Sequence, residues 1–536
     1  MKTHHSAQLV AFLGFFIISL SAWSQSPFDR AYQAPEFAET WDDAGLHPDH
    51  IVLNVTEDCA TSMSVTWRTN TKITEAFAEI APATGAPKFW RYAKTYDANT
   101  ETLDASKVEA AEVINNYHSV TFTDLEPETM YAYRVGDGKR WSEWLQFTTA
   151  SNEDKPFSFL YVGDAQNYIL ELWSRLVREG YRQAPDASIF IHAGDLVNHA
   201  HREREWHEWF TAGGFIHGMI PSLPIPGNHE HRRLKEGDAE RSLSVQWRPS
   251  FTLPQNGPEG TPSGFQETMY YVDYQGVRFI GLNTNTMREE QAIWLEKVLA
   301  DNPNKWTVAT FHHPLFSASA GRENESLRNL WKPIFDKYDV DIALQGHDHA
   351  YARGRAEPYL TASESNVMDG LNMRDYTGTV YVVSVSGGKM YGLRPNAWEG
   401  WPAERERAAE NTQLVQVITV DGNTLSYEAY TAVGELYDAF DIVKSDDGKP
   451  NKFVERKGQA IPARRYDNTI SYYDVLPENI EKNLTKKYEG FSIDRVNRVK
   501  NEELDGYYVQ LEKERKEISL TISRGGEILT EVVEED

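Results

Sequence analysis

Five short polar clusters hold residue types that could do chemistry together. They are "GDAQ" with Asp164, "GDLVNH" with Asp195, "GNHEH" with Asn228 and His229, "FHHP" with His312, and "GHDH" with His347 and His349. Two carboxylates, a carboxamide and three imidazoles make a mixed oxygen and nitrogen donor set. Such a set suits Zn, Fe, Mn or similar ions and not a soft metal that selects thiolates. The donor atoms outnumber what a single ion needs, and a carboxylate shared between two ions resolves the excess. Two ions ~3.5–4 Å apart can hold a phosphoryl oxygen between them, activate a water and stabilise the leaving oxygen. Glycine precedes Asp164, Asp195, Asn228 and His347, which is expected to let the backbone turn sharply so that each side chain faces the site. Taken singly, each cluster has a plainer explanation as a turn or a structural histidine. Their joint occurrence, each behind an apolar strand-like run, argues for convergence, because sites in α/β sheets form at the carboxyl ends of strands.

The elements that must position these residues show in the rhythm of the chain. Residues 48–150 read as a small β-sandwich: "SMSVTWRT" and "MYAYRVGDG" alternate, and no long helical period intervenes. After Lys155-Pro156 the rhythm changes. "FSFLYVGD", "ASIFIHAGD", "KWTVATFHHP", "VDIALQGHDH" and "TVYVVSVSGG" are apolar runs that end in polar residues, with helical stretches such as Leu327–Tyr338 between several of them. Continuous apolar strands are buried on both faces, so residues 156–443 are expected to form a layered α/β domain. A polar linker is expected at 444–467, then a small α+β unit at 468–536 with a helix in "LPENIEKNLTKKYEG" and two or three strands after it.

The ordered motif set resembles the calcineurin-like metallophosphoesterase superfamily. "IVLNVTEDCATSMSVTWRT" and "YHSVTFTDLEPETMYAYRVGDGKRWSEWLQFTT" resemble the fibronectin-like N-terminal domain of purple acid phosphatases, and "GHDHAYAR" is similar to the final motif of that branch. The resemblance covers about residues 48–443. It implies a fibronectin III-like β-sandwich followed by a metallophosphoesterase β-sandwich flanked by helices. It also implies two divalent or trivalent ions, Fe, Zn or Mn, with Mg a further option. By that resemblance Asp195 bridges the ions, Asp164 and His349 bind the first, and Asn228, His312 and His347 bind the second. His229 would touch the phosphate and help protonate the leaving group, with Glu230 orienting it. His313 would lie behind the ligands. Arg322 would either contact phosphate or sit solvated in its loop.

Two positions depart from that pattern. Purple acid phosphatases place Gly two residues after the first Asp, and three after the second a Tyr whose tyrosinate on Fe(III) gives the colour. Other metallophosphoesterases place His two after the first Asp. Here those positions hold Gln166 and Asn198. Each can offer a neutral carbonyl oxygen, so the site is expected not to be purple and to hold Mn, Zn, Fe(II) or Mg, the first ion more weakly. Gln166 either ligates that ion or hydrogen-bonds substrate or backbone. Asn167, His199 and His201 are nearby alternatives for completing the ligand shell.

Composition narrows the function classes. At 536 residues the chain is too long for one core, and its aromatic content of 12% is that of a folded protein. The net charge of -26 disfavours nucleic acid as a partner and favours a small phosphate ester, with bound cations reversing the local field. Lys2, the apolar run Leu9–Leu20 and Ala22-Trp23-Ser24 read as a signal peptide over residues 1–24, so export to a periplasm or the medium is expected, with no membrane span in the mature chain. The single cysteine, Cys59, allows no internal disulfide and is expected to be a packed thiol. Residues 468–536 resemble PepSY-like domains of exported bacterial proteins, with an unknown partner. The leading reading is an exported dinuclear-metal phosphatase that hydrolyses phosphomonoesters by attack of a metal-activated water or hydroxide. The alternatives are a phosphodiesterase on the same core and a metal-deficient binding protein, the latter motivated by Gln166 and Asn198.

Overall fold

The structure, a computed structural model, describes residues 36–235, 237–319, 322–360, 368, 371–394, 397–445, 449–456, 476–500, 505–513 and 516–535. The segment read as a signal peptide lies outside the described residues. Among those described, no helix is long and apolar enough to cross a membrane.

The N-terminal strands pair as the alternation predicts. One sheet joins Asp49–Asn54, Met63–Asn70, Ile114–Phe122 and Asn99–Asp104, and a second joins Lys94–Asp97, Phe77–Pro82, Met130–Gly136 and Leu145–Thr148. Val65, Trp67, Phe122, Tyr133 and Phe147 fill the space between them. The opposite face of Met63–Asn70 is buried too, although its residues are polar, because the following domain packs there through Glu203 and Ser250. Arg68 is fully buried and pairs with Asp49 and with Glu203, the first residue of the helix Glu203–Gly213. Its guanidinium also lies 3.2 Å from His207 Nδ1, so Arg68 is the cation of the cluster Asp49, His50 and His207. Arg68→Met strands the buried Glu203 carboxylate and is expected to cost about 3–5 kcal/mol, read as a lower denaturation midpoint. Cys59 is a buried thiol pushed up to about 11 by burial, in keeping with packing rather than reactivity.

The region after Lys155-Pro156 is two facing sheets. Phe157–Val162, Ile189–Ala193 and Ser222–Ile225 run parallel in the first, which the antiparallel strands Leu414–Asp421, Thr424–Thr431 and Leu436–Val443 extend. Val277–Leu282, Trp306–Phe311, Ile342–Gln345 and Val380–Val383 run parallel in the second. Alternate residues of the second sheet serve two cores. Phe279, Val308, Ile342 and Val382 face the first sheet. Ile280, Ala309, Ala343 and Tyr381 face the other way, toward the helices Arg288–Ala300 and Glu325–Lys337. That double burial is why these strands read as unbroken apolar runs. The N-terminal sheet joins the first of these two sheets edge to edge through Asn54 and Ser222.

Two expectations change at the C-terminal side. Asn451–Glu455 pairs with Leu436–Val443 and with Tyr376–Thr377, so the first of the two facing sheets runs past Val443 into the stretch read as a linker. Residues 457–475, the remainder of that stretch and the start of the tail, lie outside the described residues. In the tail, the helix Glu478–Lys487 covers an antiparallel sheet of Ser492–Lys500, Asp505–Lys513, Lys516–Ser523 and Ile528–Glu535, with Ile480, Leu484, Val509, Leu511, Leu520 and Ile522 between them. The first of these strands was not expected, because a bulge between Ile493 and Arg495 breaks its alternation.

Candidate metal centre

The carboxyl ends of the parallel strands deliver the polar clusters to one place. His312 Nε2 lies 3.0 Å from Asn228 Oδ1 and 3.2 Å from His347 Nδ1, and His347 Nδ1 lies 3.0 Å from the same Asn228 oxygen. Asp195 Oδ2 stands 3.1 Å from His312 Nε2. His312 Nδ1 is 3.0 Å from the Ala193 carbonyl, which places its proton there and turns the lone pair of Nε2 inward. Lone-pair donors this close together suit a shared cation. Titration says the same. Burial opposes charge on His312, yet Asp195 raises its pKa above the ordinary imidazole value, so this point attracts a proton or a metal.

A second group meets the other side of Asp195. His349 Nδ1 is 3.0 Å from the Lys389 carbonyl, so its Nε2 faces inward, 3.9 Å from Asp164 Oδ1. Gln166 is fully buried, and its Nε2 lies 3.2 Å from Asp195 Oδ2 and 3.0 Å from His349 Nε2. One oxygen, Asp195 Oδ2, therefore faces both groups. Burial, and then the charge of Asp195, push Asp164 well above the carboxylate range. Burial also opposes ionisation of Asp195, but His312 and His229 hold its carboxyl well below that range. Two buried carboxylates whose pKa values are driven apart fit a place built for cations. The imidazoles of His347 and His349 are held neutral, by burial first and then by Arg322 and Lys389 respectively, as ligation requires.

The glycines act differently from expectation. Among the four that precede these residues, only Gly194 has a positive φ, of 84°. The left-handed backbone falls on the site residues themselves, with φ of 49° at Asp164, 53° at Asp195 and 73° at His347. Such strain is characteristic of functional sites. The other glycines provide room. A Cβ at Gly227 would sit 2.1 Å from Asp195 Oδ1, and one at Gly346 would sit 2.6 Å from Asp164 Oδ2. Gly227→Ala is accordingly expected to displace Asp195 and weaken metal binding by about 10–100-fold, measured by calorimetric titration.

The surrounding residues sort by what they touch. Glu230 does not orient His229. It accepts hydrogen bonds from the backbone N–H groups of Asp195, Leu196, Val197 and Gly227 at 2.7 to 3.2 Å, tying two ligand loops together. His229 is set by its own backbone N–H, which donates to Asp195 Oδ1 at 2.9 Å, and by its Nδ1, 2.7 Å from the Asn198 carbonyl. Asn198 thus works through its main chain, and its N–H donates to Glu205 at 2.7 Å. His201 is buried against the Arg232 carbonyl, 3.2 Å away, and is not among the clustered donors. His199 is not among them either. His313 lies beside the ligands, its ring 4.3 Å from that of His347 and its Nδ1 2.6 Å from Thr284 Oγ1. Arg322 is not a solvated loop residue. It is buried, with Nη2 2.8 Å from His347 Nε2 and Nε 3.3 Å from Asp348 Oδ1.

Three contributors escaped the sequence reading. Asp348 reads as a spacer between two histidines, yet it accepts from Ser317, Ala318 and Ser319 and holds the loop that carries Arg322. Lys389 fixes His349 through its carbonyl, and the Tyr391 ring lies 4.6 Å from that of His349. Both follow "TVYVVSVSGG", which has the same apolar-then-polar form as the other clusters and so carried a usable signal.

Residues 157–351 match the calcineurin-like phosphoesterase family model, and residues 48–149 match the model of the purple acid phosphatase N-terminal domain. The chain thus resembles a purple acid phosphatase N-terminal domain followed by a calcineurin-like phosphoesterase domain. It is 26% identical over 331 residues to the Fe(3+)-Zn(2+) purple acid phosphatase 12 of Arabidopsis thaliana, covering 56% of this chain and 67% of the relative. It is also 26% identical over 439 residues to acid phosphatase type 7 of Danio rerio, covering 75% of this chain and 93% of that one. The purple acid phosphatase PPD1 of yellow lupin shares the fold at a TM-score of 0.61 and 21% identity, over 75% of each chain. These matches support a metal-dependent phosphoesterase.

Proposed function

We propose that this calcineurin-like phosphoesterase is an exported phosphatase that hydrolyses phosphomonoesters at a centre of two metal ions. The observation that carries the reading is Asp195 Oδ2, which faces His312 at 3.1 Å on one side and Gln166 at 3.2 Å on the other. On this reading Asp164, Asp195, His349, Asn228, His312 and His347 hold the ions, which when bound supply the Lewis acidity that activates a water and neutralises phosphoryl charge. The chain's own residues do the rest. With Nδ1 of His229 committed to the Asn198 carbonyl, Nε2 is the nitrogen that carries a proton to the leaving oxygen. Arg322, whose guanidinium lies beside His347, would offer charge-assisted hydrogen bonds to a phosphate held at the centre. The net charge of -26 favours a small ester over nucleic acid. The N-terminal apolar segment supports export, and the helix-on-sheet tail supports the PepSY likeness without naming its partner.

The test is hydrolysis of an aryl phosphomonoester and its matching diester after resupply with Mn, Zn or Fe. Faster monoester turnover is expected. Faster diester turnover would make the protein a phosphodiesterase. Turnover of neither, with metal bound, would leave a binding protein.

A further inference from the structure

We infer that Gln166 is a conditional metal ligand: its amide fills the first metal position when that position is empty, and turns to give its carbonyl oxygen to the ion that arrives. The inference rests on the two-ion reading above and concerns how the first of the two sites is completed.

The geometry is specific. The Gln166 backbone is pinned, its N–H donating to the Asp195 carbonyl at 3.1 Å, and the side chain is fully buried. Its NH2 group stands 3.2 Å from Asp195 Oδ2 and 3.0 Å from His349 Nε2. The first of these is a carboxylate oxygen. The second is an imidazole lone pair, because the other nitrogen of His349 is bound to the Lys389 carbonyl. The amide nitrogen therefore places its two hydrogens where a cation would otherwise satisfy the same lone pairs. The oxygen at the other end of the amide, Oε1, is buried and has no hydrogen-bond partner. A buried, unpartnered acceptor calls for an explanation.

Rotation about the last side-chain torsion supplies one. That torsion is broad and roughly two-fold, so nitrogen and oxygen can exchange places without moving the backbone. Once turned, Oε1 faces Asp195 Oδ2 and His349 Nε2. Three lone-pair donors then converge, with Asp164 Oδ1 3.9 Å from His349 Nε2. Without an ion this state is repulsive, and with one it is a neutral and anionic donor set of the kind hard divalent ions take. The pocket thus has a closed state held by hydrogen bonds and an open state held by a cation. Two consequences follow. The first ion must displace two hydrogen bonds, so it binds more weakly and after the second. Its shell gains a neutral amide oxygen from Gln166 and no further charge.

The decisive experiment is calorimetric titration of the metal-free full chain with Mn(II) alone. The wild type is expected to bind in two steps of unequal affinity. Gln166→Leu is expected to weaken the weaker step by at least about 10-fold while the stronger step and the melting temperature hold, which also shows that the variant is folded. Gln166→Glu, which can offer the ion a charged carboxylate oxygen, is expected to tighten the same step. An unchanged or tighter weak step in Gln166→Leu would make the amide a plug only and overturn the inference. A wild type that never takes a second ion would overturn the two-ion reading itself, along with the inference.

Discussion

Asp195→Asn is expected to abolish turnover, by ~10³-fold or more, and to release metal from both positions. The substitution preserves shape, so its effect isolates charge and donor character. Asp195 Oδ2 is the one atom that faces both ligand groups, and Oδ1 accepts the His229 N–H at 2.9 Å. An asparagine must turn its NH2 toward one of these. Toward the ligands, it puts hydrogens where the cations bind. Toward His229, it sets donor against donor and moves the residue proposed to handle the proton. Steady-state kinetics and elemental analysis on the same preparation check this. Full activity with metal retained would mean that the bridge is not where the chemistry is held.

His229→Ala is expected to behave differently. Turnover should fall by ~10²–10⁴-fold while metal content stays near that of the wild type. The contrast follows from contacts. The backbone N–H of His229 donates to Asp195 Oδ1 at 2.9 Å and alanine keeps it, whereas the ring, set by the Asn198 carbonyl at 2.7 Å, is what the substitution removes. The loss should shrink for esters whose leaving group is a weak base, because such a group departs without a proton. A loss that is equal for strongly and weakly basic leaving groups would remove His229 from the role of general acid.

Much of this architecture was legible in the sequence because its strongest signals are physical ones. Apolar runs that end in Asp, Asn or His reveal strands buried on both faces, and the shared end of those strands follows from parallel pairing. What was not legible depends on contacts between distant segments. Nothing local to Glu230 announces four backbone partners on two loops. Arg322 reads as an ordinary loop arginine until His347 and Asp348 are placed around it. The glycines look like turn residues, but two of the four, Gly227 and Gly346, are there because Asp195 and Asp164 pass too close for a Cβ. The strand Asn451–Glu455 hides in a polar segment because it lies between two strands whose partners the sequence does not name.

The central claim is that one carboxylate oxygen joins two metal positions, and metal stoichiometry tests it most directly. The full chain, purified without chelator and resupplied with Mn, Zn and Fe, should carry about two ions per chain by elemental mass spectrometry, with metal lost from both positions in Asp195→Asn. A wild-type chain that holds one ion or none after resupply would contradict the account.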